Sequence, residues 1–146
     1  MGDCIKRGGA FFPKIGEVYM MYFEGQGCVQ SGWRPGVVFQ NNIGNKHSPN
    51  IIALPFTTSL KKIDQPTHVL VDSRESGLRY TSMILCENPQ CLPKGNIGKY
   101  LTTLPYETMG RVAKAHLAAT GALAFVDLKT LIGSWQKAAD MSGQTA

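Results

Sequence analysis

A mainly β domain with one C-terminal helix is the fold class this sequence predicts, and three observations predict it. Short runs rich in Val, Ile, Tyr and Phe recur between clusters of Gly, Pro, Asn and Ser, as strands do between turns. Only one stretch, from Tyr106 onward, repeats its apolar residues at helical spacing over several turns. No internal repeat, heptad run or low-complexity block competes with those signals. Together they describe a small barrel or strongly curved sheet of roughly five to seven strands with a helix packed on it, an α+β arrangement. One domain suffices for 146 residues, a length that buries most of its apolar surface around a single core.

Taken in order, residues 1–15 form an irregular opening with Gly8-Gly9 and Pro13. Glu17-Val18-Tyr19-Met20-Met21-Tyr22-Phe23 is the first strand, because β-branched and aromatic residues dominate it. Glu24 to Gly32 reads as a loop leading into Trp33-Arg34-Pro35, and the apolar run from Gly36 to Asn41 as the second strand. Asn42 to Asn50 is dense in turn formers and reads as a loop. Ile51-Ile52-Ala53-Leu54-Pro55-Phe56 is a buried third strand with its proline near the end, where a missing N–H costs least. Thr67 to Val71 and Ser82 to Cys86 are the fourth and fifth strands, with a turn from Asp72 to Gly77 between them.

Asn88-Pro89 ends the fifth strand, and a loop continues through Pro93, Lys94 and Gly95 to a brief pairing segment at Tyr100-Leu101. Pro105 suits the first turn of a helix, and Met109, Val112, Ala113, Leu117 and Ala124 then recur on one face. Leu128, Leu131, Ile132 and Trp135 suggest a second helical piece, followed by a frayed tail from Ala138 to Ala146.

Composition narrows the function classes. No apolar run is long enough to span a bilayer, and Met1 to Arg7 lacks the apolar segment of a signal peptide, so a cytoplasmic protein is expected. Cys4, Cys28, Cys86 and Cys91 are scattered without zinc or redox spacing and read as free thiols. There is no HExxH, no paired Cys/His pattern and no phosphate loop in strand-to-helix context, so neither metal nor cofactor is expected. The net charge of +5 favours a polyanionic partner.

The stretch Gly32-Trp33-Arg34-Pro35-Gly36 offers that partner a contact point. Pro35 has a locked φ and biases Arg34 toward an extended conformation, while glycines on either side leave room for close approach. Such framing suits a guanidinium that meets a phosphate in a set geometry, or simply a loop with a solvated arginine. Thr57, Thr58 and Ser59 followed by Lys61 and Lys62 place hydroxyls and cations at a strand end, a combination common in phosphate contacts. Of the three histidines, His47 lies in a polar loop within reach of nucleic acid, whereas His68 on a strand and His116 on the helix read as structural.

Gly16-Glu17-Val18-Tyr19, Trp33 to Val38, Asn41 to Pro49, Phe56-Thr57, Pro66 to Val69, Gly77-Leu78 and Ser82 to Glu87, in that order and spacing, resemble the MazF/PemK-like toxins of bacterial toxin–antitoxin systems. The resemblance spans about residues 14–126 and leaves 1–13 and 127–146 as extensions of unassigned role. It implies a homodimeric, SH3-like or CcdB-like barrel with a C-terminal helix, acting as a metal-independent, sequence-selective endoribonuclease on single-stranded mRNA. It also implies an antitoxin that covers the RNA site and binds DNA together with the toxin. The catalytic pair of the family maps onto Arg34 and Thr57. Thr58, Ser59, Lys61 and Lys62, with Asn41, His47 and Asn88, become candidate RNA contacts, and Gln30 and Ser31 fall in the loop that helps select sequence.

Cleavage through the neighbouring 2′-OH fits that pair, because it asks the protein for charge stabilisation and proton handling rather than for a nucleophile. The resemblance also assigns Arg34 protonation of the leaving 5′-oxygen, although a guanidinium holds its proton too tightly to be a good general acid. Where the family often has Glu-Gln-Ile-Arg-Thr, this chain has Glu87-Asn88-Pro89-Gln90-Cys91, which bears on local RNA contacts and cleavage sequence. Two other readings share the fold: a gyrase-inhibiting toxin of the CcdB type, using the C-terminal end near Trp135, and a basic barrel that binds nucleic acid without cutting it.

Overall fold

The computed structural model describes residues 12–25 and 31–127, together with 129, 130, 132, 133, 136, 137 and 140. Its sheet is built outward from β1 (Glu17–Phe23), which lies between β2 (Gly32–Val38) and β7 (Ile97–Thr103), antiparallel to both. β2 pairs in turn with β3 (Asn50–Thr57). β3 then divides its outer edge: Asn50 to Ala53 pair with β6 (Gln90–Pro93), and Phe56 and Thr57 pair with β5 (Ser82–Leu85). β4 (His68–Val71) pairs with β5 and ends the sheet.

Strand alternation sorts the core into two layers. Val18, Val37, Leu54 and Phe56 belong to one buried cluster, with Val69, Val71, Ile84 and Cys86. Their neighbours Tyr19, Val38 and Ala53 point the other way, into a second cluster with Met21, Phe23, Ile51, Leu92 and Ile97. The first layer is closed by α3 (Tyr106–Ala119), which buries Thr108, Val112 and Ala115.

A mainly β chain with a C-terminal helix is therefore what forms, but the sheet is open: its path ends at β4 and β7. α3 stands at the β4 edge instead, where Arg111 Nη1 donates to the Leu70 carbonyl at 3.0 Å. A helix covering an edge strand satisfies groups that closure would have paired.

Several elements differ from the sequence reading, each for a local reason. The stretch Asn42–His47 is a helix, α1, because Asn41 Oδ1 accepts from the Gly44 N–H at 2.9 Å and starts it. Buried Asn45 donates to the Gln40 carbonyl at 2.8 Å, and Asn42 Oδ1 accepts from the Ile15 N–H at 2.9 Å, so these asparagines tie α1 to the entrance of β1. Asp72 caps α2 (Ser73–Ser76), which ends at Gly77 with φ 74°, a left-handed turn that favours glycine.

The residues read as a loop before Lys94 include β6, held by its register with β3 rather than by its own pattern. β7 runs well beyond Tyr100-Leu101 on both sides. α3 ends at Ala119; it buries Thr108 as well as Val112, half-buried Met109 packs against the first core layer, and Leu117 is exposed; Ala124 falls in a separate 3₁₀ turn, Ala122–Phe125. Ile132 is helical and exposed, whereas Leu128, Leu131 and Trp135 lie outside the described residues.

Candidate active site

β2 begins four residues earlier than its apolar run, at Gly32, and this early half builds the site. From Gly32 to Pro35 it pairs with β1 alone, since pairing with β3 starts only at Gly36 opposite Pro55. The reason lies in the backbone. The Val38 carbonyl accepts from Gly16 on the β1 side, and alternate residues turn their polar groups the same way. Pro35 is thus turned toward β3, where it has no N–H to give. Pro55 sits at the changeover on the other edge of β3, between the residues paired to β6 and those paired to β5.

The two strands part at that point and leave a cleft of about 990 Å³. Continued two residues past Gly36↔Pro55, the register sets Arg34 opposite Thr57 on the same face, and both line the cleft. Arg34 is half-buried, as is Thr57, the last residue of β3. Thr57 Oγ1 accepts from the Ser59 N–H at 3.1 Å, which leaves its own hydroxyl hydrogen available to a ligand. Gly36 holds the floor: a Cβ there would lie 2.6 Å from Phe23 Cζ and 2.9 Å from Met21 Sδ.

Thr58, Ser59 and Lys61 complete the polar side. The segment that carries them is tied down from behind. The Lys62 carbonyl lies 2.9 Å from His68 Nδ1, and His68 Nε2 lies 2.8 Å from Glu87 Oε1. Lys62 itself is in the left-handed region at φ 57° and does not line the cleft. His116, near the Cys86 carbonyl at 3.3 Å and edge-on to Phe39, has a packing role, as expected.

Other expected RNA contacts among the described residues do not line the cleft. Ser31 Oγ accepts from the Gly25 N–H at 2.7 Å, drawing together the ends of the β1–β2 loop, while Gln30 lies outside the described residues. Asn41 caps α1, His47 is exposed at its end, and Asn88 is in the turn after β5. None of these lines the cleft.

The sequence reading missed the opposite wall. Gly77 to Tyr80, between α2 and β5, line the cleft, and Arg79 brings a second guanidinium. That segment is anchored through α2, where Glu75 Oε1 accepts from Thr108 Oγ1 at 2.5 Å and from Arg111 Nη2 at 2.6 Å. The Thr108 hydrogen bond first, then Arg111, hold the Glu75 carboxyl below the usual range against some desolvation. An arginine followed by an exposed tyrosine after Gly77-Leu78 was the available signal, since basic and aromatic residues interleave at nucleic-acid sites.

Chemically the cleft offers two guanidinium groups, an ammonium and hydroxyl donors on a rigid strand end, a set suited to a phosphodiester. The model of the PemK-like, MazF-like toxins of type II toxin–antitoxin systems matches residues 14–118. Endoribonuclease EndoA of Bacillus subtilis (strain 168) is 34% identical over 111 residues, covering 76% of this chain and 90% of that protein. An endoribonuclease structure from Mycobacterial species is 25% identical with a TM-score of 0.61, covering 75% of this chain and 91% of its own. An endoribonuclease in complex with its cognate antitoxin, also from Mycobacterial species, is 26% identical with a TM-score of 0.61, covering 79% and 98%. The cleft between β2 and β3 therefore belongs to a chain that is a member of the PemK-like, MazF-like toxins of type II toxin–antitoxin systems.

Proposed function

We propose that this chain is a metal-independent, sequence-selective endoribonuclease that cuts single-stranded mRNA in the cleft between β2 and β3. The observation that carries the proposal is that Arg34 and Thr57 line one cleft, just past the last paired position of β2 and β3. The relatives named endoribonuclease support the reaction class.

In the proposed step the ribose 2′-oxygen attacks the adjacent phosphorus and the bond to the 5′-oxygen breaks. The products are a 2′,3′-cyclic phosphate and a 5′-hydroxyl; solvent takes the proton of the attacking 2′-OH and returns one to the leaving 5′-oxygen, so no net proton is consumed. Arg34 stabilises the charge that grows on the non-bridging oxygens, and the Thr57 hydroxyl donates to one of them. Ser59, by donating its N–H to Thr57 Oγ1, fixes that hydroxyl. Lys61 and Thr58 hold a neighbouring phosphate. Arg34 acts here by charge and geometry rather than as the proton donor.

A protein antitoxin as partner is supported by the relative solved with its cognate antitoxin. A homodimer in the cytoplasm is the assembly and place that the family resemblance implies. Incubation of the purified protein with a long RNA in EDTA tests the proposal. Fragments ending in 2′,3′-cyclic phosphate, lost in Arg34→Ala, are expected; intact RNA with the wild type, or equal cutting by Arg34→Ala, overturns it.

A further inference from the structure

The cleft's two exposed aromatic side chains are unused by the phosphate chemistry. Trp33, on β2 beside Arg34, is 49% exposed, and Tyr80 on the opposite wall is 58% exposed. The indole is held on two sides. The indole meets Tyr22 edge-on at 5.8 Å and 65°, and it lies so close to β7 that a Cβ on Gly98 would come within 3.0 Å of Trp33 Cζ3. Tyr80 carries the Arg79 guanidinium over its ring at 5.2 Å from the centroid.

Rigid aromatic surface of this kind is costly to leave in water and serves to stack unpaired bases, each of which has a π-face whatever its identity. A cation already lying over one face of Tyr80 leaves the other for a base and adds charge beside the backbone. Trp33 and Tyr80 line the same cleft as Arg34 and Thr57, one on each wall, so a strand whose phosphate sits at that pair brings bases to both.

We propose that Trp33 and Tyr80 are base-stacking platforms, each holding one unpaired base of the strand whose phosphate lies at Arg34 and Thr57, with Arg79 backing Tyr80. This rests on the ribonuclease reading for the placement of the phosphate. It makes Trp33 and Tyr80 binding residues that select single-stranded substrate, and it assigns them no part in bond cleavage.

The test uses the full chain carrying Trp135→Phe, which leaves Trp33 as the one tryptophan. The probes are a mixed-sequence DNA single strand of roughly ten nucleotides, which lacks the 2′-OH and is not cut, its duplex, and an abasic strand of the same length. Expected results are quenching of Trp33 fluorescence by the base-bearing single strand and weak binding of the other two probes. Trp33→Ala and Tyr80→Ala should each weaken single-strand binding roughly tenfold, while Tyr80→Phe stays near wild type. On RNA the alanine variants should raise KM and leave kcat within about twofold, with unchanged thermal midpoints marking intact folds.

Equal binding of abasic and base-bearing strands, or wild-type affinity in both alanine variants, overturns the proposal. An enzyme that cuts RNA yet shows no quenching refutes the stacking alone. Quenching and stacking-dependent affinity in a protein that cuts no RNA refute the nuclease reading and keep the platforms.

Discussion

Arg34 and Thr57 line one cleft, each two residues past Gly36↔Pro55, the last paired position of β2 and β3, so the cleft opens where that pairing stops. A strand pair that continued would have filled the gap with hydrogen bonds. Arg34→Lys should therefore lose most activity, by about a hundredfold, since a point charge cannot make the planar two-point contact that the fixed strand position serves. Thr57→Val should lose a similar amount, and Thr57→Ser should keep most of it. Initial rates on a mapped RNA substrate check all three, and near-wild-type cutting by Arg34→Lys would refute the clamp.

Gly36 tests whether the floor beneath Arg34 matters. A methyl group there would meet Phe23 and Met21, both fully buried and with nowhere to go. Gly36→Ala is expected to cost about 1–3 kcal/mol through overpacking and to lower cleavage as well. Denaturant unfolding gives the first value and kcat the second. Stability unchanged from wild type would mean that the β1 side chains repack freely.

Glu75 ties α2, and with it the Gly77 to Tyr80 wall, to Thr108 and Arg111 on α3. Its pKa is lowered in the folded chain from an ordinary value of 4.5. A depressed carboxylate adds stability that is fully present above its unfolded pKa and is lost as pH falls through the folded one. The wild type should thus lose stability below about pH 4.5 more than Glu75→Gln does, a difference read from thermal midpoints between pH 3 and 7. The carboxyl is exposed, so salt should shrink the gap. Parallel pH profiles would sink the assignment.

Cys86 and Cys91 should separate under alkylation. Burial first, and the Glu87 carboxylate second, push the Cys86 thiol up to about 12, whereas Cys91 is exposed. Iodoacetamide near neutral pH should label Cys91 in the native protein and Cys86 only after unfolding, as read by peptide mass spectrometry. Because the unfolded thiol ionises near 9.0 while the folded one does not, alkali above that value should also favour unfolding. Rapid native labelling of Cys86 would show that the first core layer opens easily.

His68 links the segment bearing Lys61 to Glu87 through both ring nitrogens. With the side chain only 7% exposed, His68→Ala leaves a gap and frees the Lys62 carbonyl. The expected outcome is faster proteolysis between Thr58 and Lys62 and a several-fold rise in KM for RNA, with kcat changed less. Wild-type proteolysis would show that the segment is held by other means.

How much of this was legible beforehand differs by residue. β1 was readable to its ends, since seven consecutive residues suit a half-buried pleat and nothing interrupts them. The start of β2 was not, because a Pro-Gly sequence looks like a loop unless one knows that only one edge needs donors there. Arg34 and Thr57 were paired only through the family resemblance, because what brings them to one cleft is a register across a long connection, and register is not a local property.

Asn41 was read as an RNA contact, yet its side chain caps α1, while Asn42 and Asn45 also bind backbone. Arg79 and Tyr80 went unnoticed because the far wall enters the cleft only through β5 pairing to the end of β3. The helix was evident from its period. Its buried face was less so, because Thr108 is buried through a partner, Glu75, that the period does not reveal.

The cleft draws on Met20 of β1 and on Leu101 of β7. As a ribosome releases the chain from its N-terminus, Arg34 and Thr57 emerge early, but the wall at Gly77 to Tyr80 and the β7 support for Trp33 follow much later. A half-made copy has Arg34 and Thr57 without the enclosure around them. The complete cleft thus forms only once the residues through Leu101 have left the tunnel.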